Sequence, residues 1–468
     1  MTFKQPAPSI KNSPLVLIRQ YFGSTVFDRS TSKYLPFDIE TTKLLVRLKQ
    51  QPFDVVLAEI QNEERRAQLI GFFEDFYKLG FFTVDLRFAG SVLEVKTPPD
   101  HLVGPLALHL EIVAACNLRC THCFAGELPR REEPLTLAEL DKLFAILARI
   151  GTFRIGLTGG EPLLRPDLFD IIDLATDHGL HPCVTTNGLL ITEDIAREFG
   201  KRKLVWLNVS LEGATAETND RVRGKGTFNL VRERLSLLSK HTRFTLAFTI
   251  MKTNLEEISD CADLAYKVGA HTAVFRPLYP VGIARHHLEL MPSFAEYNDA
   301  LNVLAGAQVD KKFELCSIDP FSPQTRQESQ STIYENYGCG AGNLVCSISL
   351  SGDVNPCSFL GPEFVAANIR NQSFEDIWHN TQTFRSMRGL SGAAQTGGEH
   401  SDRFTGGCRA RALVLNGSVD APDPWVVAER EQRATELNAL NSTKKKVYHP
   451  LTVLEVSNPV VEQKQRKM

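Results

Sequence analysis

The sequence has no stretch approaching the ~20 consecutive apolar residues that span a bilayer, which excludes a transmembrane helix. Its opening, Met1 to Pro8, lacks the apolar core of a secretory signal, so a cytoplasmic location is expected. Charge of one sign is also lacking: 52 Lys and Arg stand against 55 Asp and Glu, a formal net charge of -3. That balance leaves no electrostatic footprint for nucleic acid or an anionic membrane, and neither is expected as a partner. Hydrophobic residues at 43% and charged residues at 23% exclude a disordered or collagenous chain. At 468 residues the chain exceeds one ordinary core, and two or three domains are expected. What it does hold in quantity is cysteine, ten in all. In a reducing compartment these point to metal binding, catalysis or core packing, not to disulfides.

Residues 14–95 read as a small α+β unit, with apolar runs at Leu15–Tyr21 and Gly23–Phe27 followed by helical patterns at Ile39–Leu48, Asp54–Ile60 and Glu64–Leu79. The stretch Lys96–Gly104, flanked by Pro98, Pro99 and Pro105, reads as a linker. From Leu106 strands alternate with amphipathic helices through six βα units, which predicts a parallel sheet curled into a full or partial barrel over residues 104–309. No internal repeat beyond this alternation is found. Residues 310–335, rich in Ser, Gln and Pro, read as a connector. Within 336–430 a hairpin is predicted at Val345–Leu350 and Val354–Phe359, with cysteines on both arms, and a helix from the cap Ser373. The tail 431–468 carries six Lys and Arg against two Glu between 441 and 468 and reads as a solvated end.

The strongest chemical signal is Cys116-Asn-Leu-Arg-Cys120-Thr-His-Cys123, just after the first strand of the βα series. Three thiolates on one short loop suit three irons of a four-iron cluster and leave the fourth iron open. Structural zinc, the bland alternative, needs four ligands and a different spacing, although His122 could supply one. Gly159-Gly160-Glu161-Pro162 follows the second strand, Thr185-Thr186-Asn187-Gly188 the third, Ser210-Leu-Glu212-Gly213 the fourth, and Arg276 closes the sixth. Each alone is weak, but all fall at strand C-terminal ends, the rim where βα barrels build active sites.

With these motifs the chain resembles the radical S-adenosylmethionine (SAM) enzymes over roughly residues 106–300. The resemblance implies a 4Fe-4S cluster on Cys116, Cys120 and Cys123 whose open iron chelates the amino and carboxylate groups of SAM. An electron then cleaves SAM to methionine and a 5′-deoxyadenosyl radical, which abstracts a substrate hydrogen. It further implies that Gly159, Gly160 and Glu161 hold the SAM amino end, Asn187 and Ser210 the ribose side, and Arg223 the carboxylate, with His122 near the adenine. Glu212 stands where relatives often carry Asp, and Asn219 where they often carry His.

The remaining cysteines form a second group. Cys339, Gly352 and Cys357, with Cys346 between them and Cys408 in Thr405-Gly-Gly-Cys-Arg, resemble the SPASM-type extension of radical SAM maturases. Four thiolates suit one auxiliary iron–sulfur cluster on Cys339, Cys346, Cys357 and Cys408, and zinc on the same four stays open as an alternative. A second auxiliary cluster is not expected, because Phe404 and the Trp of Asp423-Pro-Trp425 stand where relatives carry ligating cysteines.

Residues 14–95 resemble the winged-helix-like peptide-recognition element of the pyrroloquinoline quinone chaperone, which implies a leader peptide added as a strand to the sheet edge. The fold class expected is therefore α/β: a partial (βα)6 TIM-type barrel between this small α+β domain and a C-terminal iron–sulfur cluster domain. The expected function is a ribosomal-peptide maturase fed by flavodoxin or ferredoxin. Its alternatives are a small-molecule enzyme acting on a tetrapyrrole and a non-catalytic leader-binding scaffold. Of the other cysteines, Cys183 and Cys261 read as core residues, and Cys316 is the candidate hydrogen donor to a substrate radical.

Overall fold

The computed structural model describes residues 13–126, 133–307, 313–317, 339–390 and 407–432. Phe404, most of the 310–335 stretch and nearly all of the basic tail lie outside the described residues. No helix among the described residues is long and apolar enough to cross a membrane.

The N-terminal unit is a four-stranded sheet in the order β3-β2-β1-β4, formed by β1 (Leu15–Gln20), β2 (Gly23–Asp28), β3 (Lys33–Asp38) and β4 (Ser91–Leu93). Three helices follow β3: α1 (Ile39–Gln50), α2 (Phe53–Ala58) and α3 (Glu63–Lys78). Local chemistry starts two of them, since Asp38 accepts from the Thr41 amide and Asn62 from the Arg65 amide. Strand β4, which the sequence pattern did not signal, pairs parallel to β1 and so returns the chain to the barrel. Helix α3 has no fully buried residue, and among the described residues β3 is a free edge with Tyr34, Leu35, Pro36 and Phe37 all partly exposed. Pro36 cannot donate to a ladder, which is tolerated on such an edge.

Six parallel strands make the barrel: β5 (Ala107–Val113), β6 (Arg154–Gly159), β7 (His181–Thr186), β8 (Leu207–Ser210), β9 (Thr245–Ile250) and β10 (Thr272–Pro277). The helix Leu137–Ile150 shows why the alternation holds. Thr136 and Glu139 close a capping box, Gly151 ends the helix in the left-handed conformation, and Leu140, Leu143, Phe144, Leu147 and Ile150 bury one face. Outward positions on the strands, such as Leu108, Ile155, Val184, Leu246 and Phe275, join the main apolar core under the helices. By alternation His109, Arg154, Cys183, Thr249 and Arg276 point to the lumen.

The sheet is wider than six strands. On one side β11 (Glu314–Ser317) pairs parallel to β10, and on the other β12 (Val345–Ile348) pairs parallel to β5. Beyond it, β13 (Asp353–Asn355) and β14 (Ala367–Asn368) continue antiparallel, so the C-terminal hairpin extends the barrel's own sheet. Ser373 caps the helix Phe374–Asn380, whose Trp378 is fully buried and donates its indole N–H to the Leu102 carbonyl at 2.8 Å.

The Tyr34 hydroxyl is one of several points that fix the N-terminal sheet to the barrel, with Ser32 on His181 and Gln20 on the Val103 amide among the others. The Tyr34 hydroxyl donates to the Gly151 carbonyl at 2.9 Å and accepts from the Phe153 amide at 2.7 Å, while Phe27 packs on Phe153 at 4.9 Å. Removing this oxygen strands two backbone groups, each costing ~1–3 kcal/mol when left unpaired. Tyr34→Phe should therefore lower the midpoint of denaturant unfolding and raise the rate of proteolytic cleavage between residues 95 and 106.

Candidate functional site

The cysteine loop leaves the end of β5 and is held first by backbone hydrogen bonds. The Gly160 amide donates to the Val113 carbonyl at 2.6 Å and the Glu161 amide to the Ala115 carbonyl at 2.8 Å. No side chain fits at this approach: a Cβ on Gly159 would lie 2.1 Å from the Val113 oxygen, and one on Gly160 2.0 Å from the Ala115 oxygen. The loop is held at two further points, with the Thr121 amide donating to the Val222 carbonyl at 3.0 Å and the Ile283 amide to that of Cys123 at 2.8 Å. The Gly-Gly pair is thus a strap that fixes where Cys116, Cys120 and Cys123 stand.

Glu161 is buried, and burial raises its carboxyl pKa against the pull of its donors. Those donors are the Thr186 hydroxyl at 2.6 Å, the Asn187 amide at 2.7 Å and the Leu163 amide at 3.1 Å. Asn187 in turn donates through Nδ2 to Asn117 Oδ1 at 2.7 Å, tying the end of β7 to the cysteine loop. Thr186 and Asn117 stand inside the motifs quoted from the sequence, but nothing there distinguishes them from turn residues and no role was expected of them. Ser210 ends β8, half-buried.

Glu212 is the other residue that sequence reasoning under-weighted. It is buried, and its Oε1 lies 3.1 Å from His122 Nε2 and 3.2 Å from an Arg223 guanidinium nitrogen. Its Oε2 accepts from the Thr249 amide at 2.8 Å. Burial works to raise this carboxyl, but His122, Arg223 and the amide together hold it below the usual range. Arg223, expected to face a carboxylate of SAM, is here engaged by Glu212, yet its Nε and the Nδ1 of His122 stay buried without a partner. Burial, with Cys123, Glu212 and Cys116 nearby, pushes the Cys120 thiol up to about 11 despite the opposing pull of Arg223. Three thiols beside the unpartnered Nε–H donor of Arg223 fit an anionic sulfur-ligated group.

A second thiol group lies under the C-terminal hairpin. Cys339, Cys357 and Cys408 share one apolar shell with Phe124, Tyr279 and Phe359. The Phe359 amide donates to Cys357 Sγ at 3.5 Å and the Arg411 amide to Cys408 Sγ at 3.4 Å, the amide-to-sulfur bonds that suit a thiolate ligand. Cys408 is held by Asp423, whose Oδ2 accepts its amide at 2.6 Å. The same carboxylate takes Arg411 through two bonds of 2.8 and 2.7 Å, and both residues are buried. Trp425, in the position expected to have lost a ligand, stacks on Tyr297 at 4.7 Å and sits 4.1 Å from the Arg411 guanidinium carbon.

Cys346 departs from the expected set of four. It pairs in register with Leu108 on β5, so it points to the outer face and lies in the main core with Trp378 and Phe384, 1% exposed. Burial drives its thiol far up, and Cys357 is near enough to add to that, but the strand's alternation turns Cys346 away from the shell that holds the other three. Cys261 is packed in the core as expected, whereas Cys183, expected to be packed too, faces the lumen. Cys316 sits in register with Val274 on the lumen side of β11, close enough to act on Arg276.

A partial βα barrel whose cysteine loop and Gly-Gly strap share the C-terminal rim defines a class of SAM-cleaving iron–sulfur enzymes. Residues 110–265 match the Radical SAM superfamily, and residues 339–409 match SPASM, described as an iron-sulfur cluster-binding domain. The chain belongs to the radical SAM enzymes that carry a SPASM domain, and its cofactors are a SAM-binding 4Fe-4S cluster, SAM and auxiliary iron–sulfur. It is 31% identical over 332 residues to mycofactocin maturase MftC of Mycolicibacterium smegmatis, covering 70% of this chain and 83% of that one. AdoMet-dependent heme synthase of Methanosarcina barkeri is 33% identical over 345 residues, 69% of this chain and 97% of that one. Among solved structures, Streptococcus suis SuiB bound to precursor peptide SuiA superposes with a TM-score of 0.64 at 15% identity, covering 88% of this chain and 98% of that one.

The buried Arg411 is the testable weak point of the second thiol group. Asp423→Ala leaves that charge without its partner, and breaking a buried ion pair in this way costs roughly 3–5 kcal/mol. Unfolding followed by tryptophan emission should show the loss, together with reduced iron retention.

Proposed function

We propose that this enzyme is a maturase that abstracts a hydrogen from a residue of a ribosomally made precursor peptide. The observation that carries this reading is the β3 edge, unpaired among the described residues, where Phe37 meets the half-buried Phe72 and Phe76 of α3, on a unit docked to the barrel. An edge strand offers unpaired main-chain donors and acceptors to an added strand, the mode in which peptides augment a sheet. The leader docks there, on residues 14–95, and the core segment reaches the lumen. The similarity to mycofactocin maturase and to the PqqA peptide cyclase of Bradyrhizobium diazoefficiens, 29% identical over 333 residues, supports the same substrate class.

Cys116, Cys120 and Cys123 would hold the SAM cluster. When bound, the cluster and SAM supply a 5′-deoxyadenosyl radical. Gly159, Gly160 and Glu161 fix the loop and offer polar backbone toward the SAM amino group, with Asn187 and Ser210 at the ribose side. Arg223 serves the carboxylate, and His122 lies on the adenine side, held by Glu212. Cys339, Cys357 and Cys408 would hold one auxiliary cluster, whose fourth position falls to a ligand other than Cys346. Flavodoxin or ferredoxin supplies the electron. Reconstituted protein should contain about eight iron atoms per chain, as two four-iron clusters require. Cys346→Ala should keep that content while Cys357→Ala lowers it, and about twelve iron atoms would instead mean a third cluster.

Co-expression with the precursor peptide, followed by mass spectrometry in ordinary and deuterated water, tests the reaction. Deuterium uptake without other mass change means epimerisation, loss of two hydrogens means crosslinking, and a larger loss means excision. Cys316→Ala should lower product yield if its thiol donates the closing hydrogen, and an unchanged yield removes that role. A second reading, a small-molecule enzyme acting on a tetrapyrrole, is favoured by the heme synthase similarity. SAM cleavage with the peptide left unmodified would select it.

A further inference from the structure

The lumen of the barrel contains two arginines that have no hydrogen-bonded or ionic partner among the described residues. Arg154 opens β6 next to Ile155, and Arg276 precedes the last residue of β10 next to Phe275, so alternation turns both away from the outer core and into the barrel. The Nε of each is buried without a hydrogen-bond partner. Among the described residues neither guanidinium is in an ion pair or a hydrogen bond. The indole of Trp206 covers one face of Arg154 at 4.8 Å, which leaves its in-plane donors open.

The two side chains come from different parts of the barrel yet share two lumen-facing neighbours. His109 and Cys183 both lie within electrostatic reach of both arginines. Burial, then Arg276 and Arg154, pushes His109 down to about 4, so at neutral pH it adds no positive charge and stays free to hydrogen-bond. Its Nδ1 contacts the Ser358 hydroxyl at 3.1 Å, which brings the segment after Cys357 to the chamber wall. The nearby acids of the SAM side are already committed, Glu161 to Thr186 and Asn187, Glu212 to His122 and Arg223.

Both arginines are half-buried with their Nε atoms wholly enclosed and unpartnered among the described residues, and forked N–H donors match a carboxylate in two-point contact. We propose that Arg154 and Arg276 form a carboxylate-binding subsite in the barrel lumen and that the enzyme's substrate presents a carboxylate to it, with His109 beside it as a neutral hydrogen-bonding group. This rests on the lumen being the substrate chamber of the proposed maturase. A peptide can supply the carboxylate from its C-terminus or from an Asp or Glu side chain, and a tetrapyrrole from its propionates. The three sources share the chemistry and differ in the test.

The experiment is an anaerobic calorimetric titration of the SAM-loaded holoenzyme with leader-free core peptide, so that leader binding does not mask the contact. The probes are the free acid, its C-terminal amide, core peptides with each Asp or Glu changed to Asn or Gln, and a tetrapyrrole with and without esterified propionates. One acid should bind about 10- to 100-fold more tightly than its neutral counterpart, as a lost charged hydrogen bond implies. Arg154→Met and Arg276→Met should each erase most of that difference, and Arg276→Lys should restore part of it. Which acid shows the effect names the source. If the effect appears with the tetrapyrrole alone, the subsite stands and the peptide reading falls. If every acid and its neutral counterpart bind alike while the precursor is still modified, the subsite falls and the maturase reading stands. The comparison of acid with amide on the unaltered enzyme decides the matter even where a variant fails to fold.

Discussion

Two backbone hydrogen bonds, from Gly160 to Val113 and from Glu161 to Ala115, set the position of everything that acts in this molecule. They join the end of β6 to the run that leads into Cys116, at a separation that tolerates no Cβ on either glycine. Because they are main-chain bonds, the sheet itself places the start of the cysteine loop, and the Asn117 side chain adds one tie to Asn187. The adjoining carboxylate of Glu161 then carries the register on to Thr186 and Asn187 at the end of β7. A parallel sheet brings all its strand ends to one rim, and this strap converts that general property into a particular site.

The C-terminal region is organised around a charge rather than a strap. Arg411 and Asp423 are both buried, and Asp423 also takes the Cys408 amide, so one carboxylate aligns a thiol and neutralises a guanidinium. Trp425 packs against the same arginine and fills space with apolar ring. The region is also continuous with the barrel, since β12 lies directly beside β5. Phe124, one residue after Cys123, meets Phe359, two residues after Cys357, edge to face at 5.5 Å. The two thiol groups are therefore neighbours through one aromatic contact.

Much of this was legible in the chain. The six βα units, the cysteine loop and the strand-end motifs have spacings short enough that local geometry decides them, and the caps at Thr136 and Ser373 stand where Ser or Thr precedes an acidic residue by three. Less visible were β4, three residues long and paired to a strand distant in sequence, and β11, four residues long and inside the stretch read as a connector. Glu212 was noticed as an oddity, but its role at the centre of His122, Arg223 and Thr249 depends on three separate elements meeting.

The sequence by itself determined the chemistry: three thiols within one loop must share one ligand, whatever the fold around them. Tertiary structure decided which distant groups share a site, and it did so by strand parity. One residue's shift along β12 separates Ser347, level with lumen-facing His109, from Cys346, level with core-facing Leu108. The same alternation turned Cys183 inward and brought Arg154 and Arg276 to one chamber. A side chain's residue type is written in the chain, but the face it presents depends on the strand paired beside it, and that pairing is a property of the whole sheet.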